Sequence, residues 1–329
     1  MEEQEQGLYY PDGSFKSITQ IEEDTFDQEQ ELENKLTKEK NQTVEELSEK
    51  LGIGIGIIKD TVDSMKEKGY GIFVDGNQFI RSKTEAPRDG VNIELGKNFK
   101  IGIVSDPHLT SKKERLDELH NMYDIFEAEG ITKVFNAGDM TEGHGVYRGQ
   151  EFELKKFGQN EQIDYAVENY PKRKGITTYF ITGNHDLREY ERGGVDVGVV
   201  IASRREDLIY LGQAYSEIRT SDGTHIEMLH PAGGVAYALS YKAQKFINNL
   251  SPEDVPDMMI WGHYHTAFYM HYRNVHFIQA PCFKDAGVWE KRLGLNPTVG
   301  GWIVEGKIGD EGKIQRFRSE LFEFMKSRE

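Results

Sequence analysis

Five short apolar runs in this chain each end at a polar motif, and this arrangement constrains the fold more than any other feature. The runs span residues 100–105, 133–137, 177–182, 226–229 and 258–261. Runs of this length and composition are typical of buried strands. Because binding sites in open α/β sheets form at the carboxyl ends of the strands, we expect the five motifs to meet at one edge of the fold.

The motifs supply carboxylate, imidazole and amide groups, and none of them contains a thiolate. In chain order they are Asp106-Pro107-His108, Gly138-Asp139, Gly183-Asn184-His185-Asp186, His230 and Gly262-His263-Tyr264-His265. Such hard and borderline ligands suit a pair of divalent metal ions that activate water. Hydrolysis of a phosphate ester needs activated water, neutralised phosphoryl charge and a proton for the leaving oxygen, and this set of residues can provide all three.

The ordered set of motifs resembles that of the calcineurin-like metallophosphoesterase superfamily, over roughly residues 99–305. The resemblance implies two metal sites that share one bridging carboxylate, Asp139. The first site would be formed by Asp106, His108, Asp139 and His265. The second would be formed by Asp139, Asn184, His230 and His263. The resemblance also implies that His185 donates the proton to the leaving group and that Asp186 orients His185.

Two details of the metal sites have alternatives. His225 lies on the same apolar run as His230, but His230 ends the run and precedes the loop 231–234, which suits a ligand better. The mixture of carboxylate and imidazole ligands favours Mn²⁺ as the metal, with Zn²⁺ and iron as the alternatives.

Four residues on the loops that follow the motifs are candidate contacts to a phosphate-ester substrate. His144, Tyr147 and Arg148 follow Asp139 on a glycine-rich loop, and Arg188 follows the Gly-Asn-His-Asp motif. Arginine can hold phosphate oxygens with two N–H groups at once. The alternative is that all four are ordinary loop residues.

The resemblance implies an α/β fold with four layers in the order α/β/β/α, in which two sheets face each other and helices cover the outside. Apolar residues at helical spacing predict helices over residues 112–128, 160–170 and 238–250. Near the C-terminus, short apolar or alternating runs predict strands over residues 275–280, 301–305 and 313–317.

Residues 41–83 have the pattern of a small winged helix-turn-helix domain. Thr43 and Glu46 form a capping-box pattern before an amphipathic helix that ends at Gly52. A second helix is predicted over residues 55–68, and a hairpin turns at Asp75-Gly76. The second helix would enter the major groove if the domain read DNA. Since its charges balance, docking of a protein partner is an equal alternative to nucleic-acid binding.

Charge and composition indicate the class of protein and the bounds of its segments. Over half of the formal net charge of −16 lies in residues 1–50, and the single cysteine, Cys282, excludes an intramolecular disulfide. The chain has no 18-residue apolar stretch and no signal-peptide pattern, so we expect a cytoplasmic protein without a membrane partner. We predict an acidic N-terminal segment (1–40), a winged-helix-like domain (41–83), a linker (84–98) and a metallophosphoesterase domain (99–329).

The motif after the bridging aspartate narrows the substrate class. Phosphoprotein phosphatases of the superfamily carry Gly-Asp-x-x-Asp-Arg-Gly, whereas this chain has Glu142 followed directly by Gly143. The missing arginine argues against a protein phosphatase. We therefore expect a phosphodiesterase that acts on DNA, RNA or a nucleotide through hydroxide activated by two metals, with His185 as general acid. The alternatives are a nucleotide phosphomonoesterase and a catalytically idle subunit that acts in binding.

Overall fold

The structure is a computed structural model in which two compact units are distinguished. It describes residues 7–9, 15–17, 42–52, 54–56, 58–59, 61–62, 72–75, 78–81, 91–193, 195–309 and 311–325. One unit is formed by residues 1–88 and 232–242, and the other by residues 89–231 and 243–329. None of the helices among the described residues is long and apolar enough to cross a membrane.

The smaller unit contains two small antiparallel sheets and a capped helix. Its elements are β1 (Gly7–Tyr9), β2 (Phe15–Ser17), β3 (Gln42–Thr43), α1 (Val44–Leu51), β4 (Ile72–Asp75) and β5 (Gln78–Arg81). The predicted capping box is present, because the Thr43 hydroxyl accepts a hydrogen bond from the Glu46 amide (3.1 Å) and the Glu46 carboxylate accepts one from the Thr43 amide (2.9 Å). Gly52 ends α1 in the left-handed conformation, as expected.

The predicted hairpin lies where β4 and β5 pair antiparallel, with β3 on the other side of β5. Residues 55–56, 58–59 and 61–62 are helical, whereas the rest of the predicted second helix lies outside the described residues. The winged-helix assignment of residues 41–83 stays a prediction. Most of the predicted acidic segment, 1–40, also lies outside the described residues.

The larger unit is built on two six-stranded sheets. Its strands are β6 (Val91–Asn92), β7 (Asn98–Val104), β8 (Lys133–Asn136), β9 (Thr177–Thr182), β10 (Leu208–Gln213), β11 (Tyr215–Arg219), β12 (His225–Leu229), β13 (Met258–Trp261), β14 (Phe268–Tyr272), β15 (Val275–Gln279), β16 (Gly300–Ile308) and β17 (Ile314–Glu323). The first sheet has the order β10-β9-β8-β7-β16-β17, and the second has the order β14-β15-β13-β12-β11-β6. All five predicted apolar runs coincide with strands.

Helices cover the outer faces of the sheets. They are α2 (Leu116–Ala128), α3 (Gln159–Asn169), α4 (Asn184–Gly193), α5 (Val197–Arg204), α6 (Tyr241–Asn249) and α7 (Val288–Arg292), and residues Gln150–Phe152 form a short 3₁₀ turn. The helix predicted from residue 112 begins only at Leu116, because Ser111 and Glu114 form bridges with Leu154 and Lys284 instead.

Two apolar clusters hold the layers together. One lies between the helices and the first sheet and includes Leu119 and Phe126 of α2. There Gly102 of β7 allows close approach, since a Cβ at that position would lie 2.6 Å from the Phe126 ring. The second cluster lies between the two sheets and includes Ile103 and Ile260. With Phe246 of α6 packed against Trp261, at 5.4 Å between ring centroids, the predicted α/β/β/α layers are confirmed.

The linker predicted over residues 84–98 needs correction at its C-terminal end. Val91 and Asn92 form β6, which pairs in parallel with β11 at the edge of the second sheet. Ile93 is buried against the cluster between the sheets. Burial of these apolar side chains outweighs the polar, turn-rich composition on which the linker was predicted, so residues 91–98 belong to the larger unit.

Candidate metal centre

The loops that carry the motifs start from the same edge of both sheets. Strands β7, β8 and β9 run parallel in the first sheet, and β12 and β13 run parallel in the second. Each motif follows its strand within a few residues, so the rigid strand ends fix the start of every ligand loop. The loops are then tied to each other, since the Asp106 amide donates to the Gly138 carbonyl (2.9 Å) and the His108 amide donates to the Asp139 carbonyl (3.0 Å).

The backbone of these loops is strained at the ligand positions themselves. Five of the seven predicted ligands have a positive φ, namely Asp106 (50°), His108 (44°), Asp139 (51°), His263 (75°) and His265 (53°). Residues with a side chain rarely adopt this conformation, which costs on the order of 1 kcal/mol or more per residue. Strain concentrated in this way is typical of functional sites, where the surrounding structure holds side chains in one required orientation.

The first predicted ligand set comes together around the imidazoles of His108 and His265. Their Nε2 atoms lie 2.9 Å apart, and His265 Nε2 lies 3.2 Å from Asp106 Oδ1. His108 Nε2 lies 3.7 Å from both Asp106 Oδ1 and Asp139 Oδ2. Atoms bound to one ion at about 2.1 Å lie roughly 3.0–3.4 Å apart. The separations in this set, 2.9–3.7 Å, are close to that range, so the set is a candidate site for a divalent metal.

The second predicted set is equally compact and also includes Asp139. Asp139 Oδ2 lies 3.1 Å from His230 Nε2, and Asn184 Oδ1 lies 3.1 Å from the same nitrogen. Asn184 Oδ1 is also 2.9 Å from His263 Nδ1. Asp139 thus stands between the two groups, where a bridging ligand would have to be. His225 is not part of this group, since its Nε2 lies 3.0 Å from Glu217.

The charges of the centre fit cation binding. Burial disfavours ionisation of Asp106, but the imidazoles of His230 and His265 outweigh it and hold its pKa well below the usual value. The pKa of Asp139 is lowered in the same way by His230 and His185. Burial also opposes charge on His230, but the two aspartates raise its pKa to about 9. Carboxylates that are buried and ionised need positive charge nearby, which a divalent ion would supply when the imidazoles are neutral.

His185 lies beside the two ligand sets. Its ring centroid is 4.5 Å from that of His108, and its backbone amide donates to Asp139 Oδ1 (2.8 Å). His185 Nδ1 lies 2.6 Å from the Glu142 carbonyl oxygen. Because a carbonyl can only accept, Nδ1 carries a proton and Nε2 is left for another partner.

Asp186, which was expected to orient His185, makes hydrogen bonds to the loop after Asp139 and to the start of its own helix. Its Oδ2 accepts from the amides of Met140 (2.9 Å) and Gly183 (3.1 Å), and its Oδ1 accepts from the amide (2.9 Å) and the hydroxyl (2.7 Å) of Thr141. Asp186 therefore fastens the loop after Asp139 to the start of α4, whereas the Glu142 carbonyl orients the ring of His185.

Sequence reasoning missed a buried ion pair behind His108. Glu142 Oε2 lies 3.0 Å from His108 Nδ1, and Glu142 Oε1 lies 3.3 Å from Lys284 Nζ. Lys284 also pairs with Glu290 at 2.9 Å, and its side chain is only 2% exposed. Burial opposes charge on Glu142, but Lys284 and His108 outweigh it and lower its pKa. A lysine is so rarely buried that no pattern in the sequence marks this one.

The four predicted substrate contacts differ in their surroundings. The Tyr147 ring lies 6.5 Å from the His185 ring, and the Tyr147 hydroxyl donates to Glu153 (3.1 Å) and Glu142 (3.3 Å). Arg188 donates to the Gly145 carbonyl (3.5 Å), which ties α4 to the loop after Asp139. On that loop Arg148 is exposed and His144 is partly buried. Tyr147 is thus the member of this group brought next to His185.

Comparison with known proteins identifies the family of this chain. A sequence profile of the calcineurin-like phosphoesterase superfamily domain matches residues 99–284. The DNA polymerase II small subunit of Thermoplasma acidophilum is 25% identical over 281 residues, which cover 74% of this chain and 56% of that protein. The subunit of the same name from Archaeoglobus fulgidus is 27% identical over 283 residues, covering 72% and 56%. The chain thus spans about half the length of these relatives. A solved archaeal phosphodiesterase is 17% identical, with a TM-score of 0.40 over 68% of this chain and 100% of the other.

Proposed function

The chain belongs to the calcineurin-like phosphoesterase superfamily, and we propose that it is a metal-dependent phosphodiesterase that acts on nucleic acids or nucleotides. The observation that carries the proposal is the presence of two compact ligand sets that share Asp139, with His185 directly beside them. Every ligand position is filled by a residue able to bind a hard or borderline metal ion.

Two divalent ions would be held by the residues of the two sets, with Mn²⁺ as the metal that suits the ligands best. The ligand residues are Asp106, His108, Asp139, Asn184, His230, His263 and His265. When bound, such ions would activate water and neutralise the charge on the phosphoryl oxygens.

The chain's own residues would orient the ligands and move the proton. Glu142 Oε2 lies on the Nδ1 side of His108, which leaves His108 Nε2 for a metal. The Glu142 carbonyl holds Nδ1 of His185, which leaves His185 Nε2 to protonate the leaving oxygen. Asp186 fixes the loop between these two histidines through the amides of Met140 and Thr141.

The names of the relatives favour a second candidate function. Both are DNA polymerase small subunits, so this chain could serve as a subunit that binds a polymerase partner with its phosphoesterase site idle. The complete ligand set favours an enzyme, because an idle site has no need to keep strained ligands in place. A nucleotide phosphomonoesterase is the alternative within the enzymes.

The test is hydrolysis of bis-p-nitrophenyl phosphate and p-nitrophenyl phosphate by metal-stripped protein reloaded with Mn²⁺. We expect faster turnover of the diester, and a loss of about 10²–10⁴-fold in His185→Ala, as is typical when a general acid is removed. The variant should keep its metal content, since His185 is not a ligand in this proposal. Preference for the monoester would favour the phosphatase, and no metal-dependent turnover of either ester would favour the idle subunit.

A further inference from the structure

Three segments next to the metal centre form one continuous surface, which we call the rim: residues 110–115, 144–158 and 284–293. The Lys112 amide donates to the Glu153 carbonyl (2.7 Å), and the Lys155 amide donates to the Thr110 carbonyl (2.7 Å). The Asp285 amide donates to the Lys113 carbonyl (2.9 Å), which adds the third segment. These backbone bonds make the rim a fixed part of the larger unit.

The rim is connected to the catalytic groups by buried side chains. Tyr147 lies beside His185 and donates to Glu153, and Glu153 accepts from the Val288 amide (2.8 Å). Lys284 pairs with Glu142 behind His108. The rim is therefore in direct contact with residues of the metal centre.

Apolar side chains protrude from the rim. Phe152 is 76% exposed, Val288 is 64% exposed and Phe157 is 51% exposed. Isolated exposed apolar residues are common on protein surfaces, but a group of them rimmed by polar residues marks an interaction site. Phe152 directly precedes the buried Glu153, so its ring is presented to solvent by an anchored backbone.

The charge of the rim is opposite to that of the chain. Its three segments hold nine basic and five acidic side chains, whereas the whole chain has 40 basic and 56 acidic residues. Of the acidic side chains, Glu153 and Glu290 are buried and Glu114 is 1% exposed. The exposed cations are Lys112, Lys113, Arg148, Lys155, Lys156, Lys291 and Arg292. Three of the five carboxylates are thus turned inward, Asp285 is half-buried and pairs with Arg115, and Glu151 is exposed among the cations.

We infer that the rim binds a single strand of nucleic acid, with bases stacked on Phe152 and Phe157 and phosphates held by the surrounding lysines and arginines. Aromatic rings in a basic groove are what single strands require, because their base faces are uncovered. In a duplex those faces are covered by base stacking. A protein partner would not explain the excess of cations on the rim, whereas the phosphates of a nucleic acid do. This inference rests on the proposed function, since it names the substrate that the metal centre would cleave.

The test separates binding from hydrolysis. Fluorescence anisotropy of the full chain in EDTA is measured with labelled 15-residue oligo(dT) and oligo(U) and with a duplex of the same length. We expect tighter binding of the single strands, and the oligo(dT) and oligo(U) arms show whether DNA or RNA is preferred. Phe152→Ala should raise the Kd for single strands by about 5- to 100-fold, which is the range for loss of one stacking platform. Phe152→Trp should keep the Kd, and Val199→Ala, which alters a side chain 54% exposed on α5, should change nothing.

The cations are tested through the salt dependence. Arg148→Gln combined with Lys156→Gln should reduce the slope of log K against log salt by about 1.4, since each phosphate contact to a single strand contributes about 0.7. The matched pair Lys172→Gln and Lys174→Gln, exposed residues after α3, should leave the slope unchanged.

Three results would overturn the inference: equal or tighter binding of the duplex, no nucleic-acid binding, or a Kd unaffected by Phe152→Ala. The test distinguishes this inference from the proposed activity. If the chain hydrolyses the diester but does not bind single strands, only the inference about the rim is wrong. If it binds single strands but does not hydrolyse the diester, only the proposed activity is wrong. The far-ultraviolet circular dichroism spectrum of Phe152→Ala should match that of the unmodified chain, which shows that the variant is folded.

Discussion

Buried carboxylates in two regions of the larger unit, the metal centre and strand β12, have pKa values that are shifted in opposite directions. In the metal centre, nearby imidazoles outweigh burial and keep the pKa of Asp106 and Asp139 below the usual range. On β12, burial raises the pKa of Glu227 to about 7, and the neighbouring charge of Glu217 adds to the effect. Burial alone therefore does not mark a catalytic carboxylate.

The backbone separates the two groups as well. Glu217 and Glu227 face each other across regular antiparallel strands, whereas Asp106 and Asp139 lie on loops with positive φ. At the metal centre the backbone is strained where side chains from different loops come close enough together to bind one ion. On the sheet the backbone is regular, and the pairing of β11 with β12 places Glu227 opposite Glu217, where its ionisation is unfavourable. The position of the carboxylate is thus determined by strained loops at the metal centre and by regular strand pairing on the sheet.

The largest effect, on metal affinity, is expected from Asp139→Asn, which tests whether the two ligand sets share Asp139. The neutral amide keeps the size of the side chain but removes the charge shared by both ligand sets. We expect at least about a 100-fold loss of affinity for both metals, since even residues that only orient a ligand change metal affinity 10–100-fold. Metal content after dialysis is measured by mass spectrometry, and activity is measured on the diester.

Glu217→Gln is the matched control, because it neutralises a carboxylate on the regular strands of the same unit. It should keep both metals. If Asp139→Asn still held two ions and turned over substrate, Asp139 would not be the bridge.

The five apolar runs coincide with strands, so the start of each motif loop could be predicted from the sequence. A run such as 258–261, which is short, apolar and followed by a glycine, is typical of a buried strand that ends at the sheet edge. That the polar residues after these runs bind metal ions stays a prediction. The division of the imidazoles between the two sets came from the resemblance to the superfamily. His230 was preferred to His225 because it ends the apolar run and precedes a loop. In the structure His230 Nδ1 lies 2.7 Å from the Ala137 carbonyl oxygen, whereas His225 Nε2 lies 3.0 Å from Glu217.

What the sequence did not predict depends on contacts between distant loops. The partners of Asp186 include backbone amides 45 and 46 residues earlier in the chain, and no local pattern identifies which amides lie within reach. The late start of α2 follows from bridges to residues 154 and 284, which are formed only in the folded chain. Lys284 is buried between Glu142, which lies on another loop, and Glu290, which lies six residues later in the chain. The residues next to Lys284 in the sequence therefore do not indicate that it is buried.

A smaller effect, on stability, is expected from Lys284→Met. The substitution leaves Glu142 and Glu290 buried without their cation, and breaking a buried pair in this way costs about 3–5 kcal/mol. The free energy of unfolding is measured by urea denaturation in the presence of EDTA, so that metal binding does not contribute.

Arg204→Met provides the comparison with an exposed pair. Arg204 and Asp164 lie 2.6 Å apart, but their side chains are 41% and 56% exposed. Solvent screens such a pair, and its loss should cost no more than about 1 kcal/mol. Equal costs for the two variants would mean that Lys284 is hydrated and does not compensate the buried carboxylates.

The smallest effect is expected from Glu227→Gln, and its sign depends on pH. The ordinary pKa is 4.5 and the value in the folded chain is about 7. Below pH 4.5 the folded and unfolded chains are both protonated, so Glu227 carries no penalty. Between pH 4.5 and 7 the unfolded chain loses its proton first, and stability falls as the pH rises. Above pH 7 the loss is complete and reaches at most about 3 kcal/mol.

Glutamine cannot ionise, yet its side-chain oxygen can still accept from the Tyr215 hydroxyl, which lies 3.2 Å from Glu227. Glu227→Gln should therefore be more stable than the unmodified chain at pH 8 and equally stable near pH 4.5, as measured by urea denaturation at both values. Glu217→Gln should give a smaller gain, because it removes only the part of the Glu227 pKa shift that the Glu217 charge causes and also loses the pairs of Glu217 with Arg219 and His225. A stability difference that is the same at both pH values would mean that packing, and not ionisation, distinguishes Glu227 from the carboxylates of the metal centre.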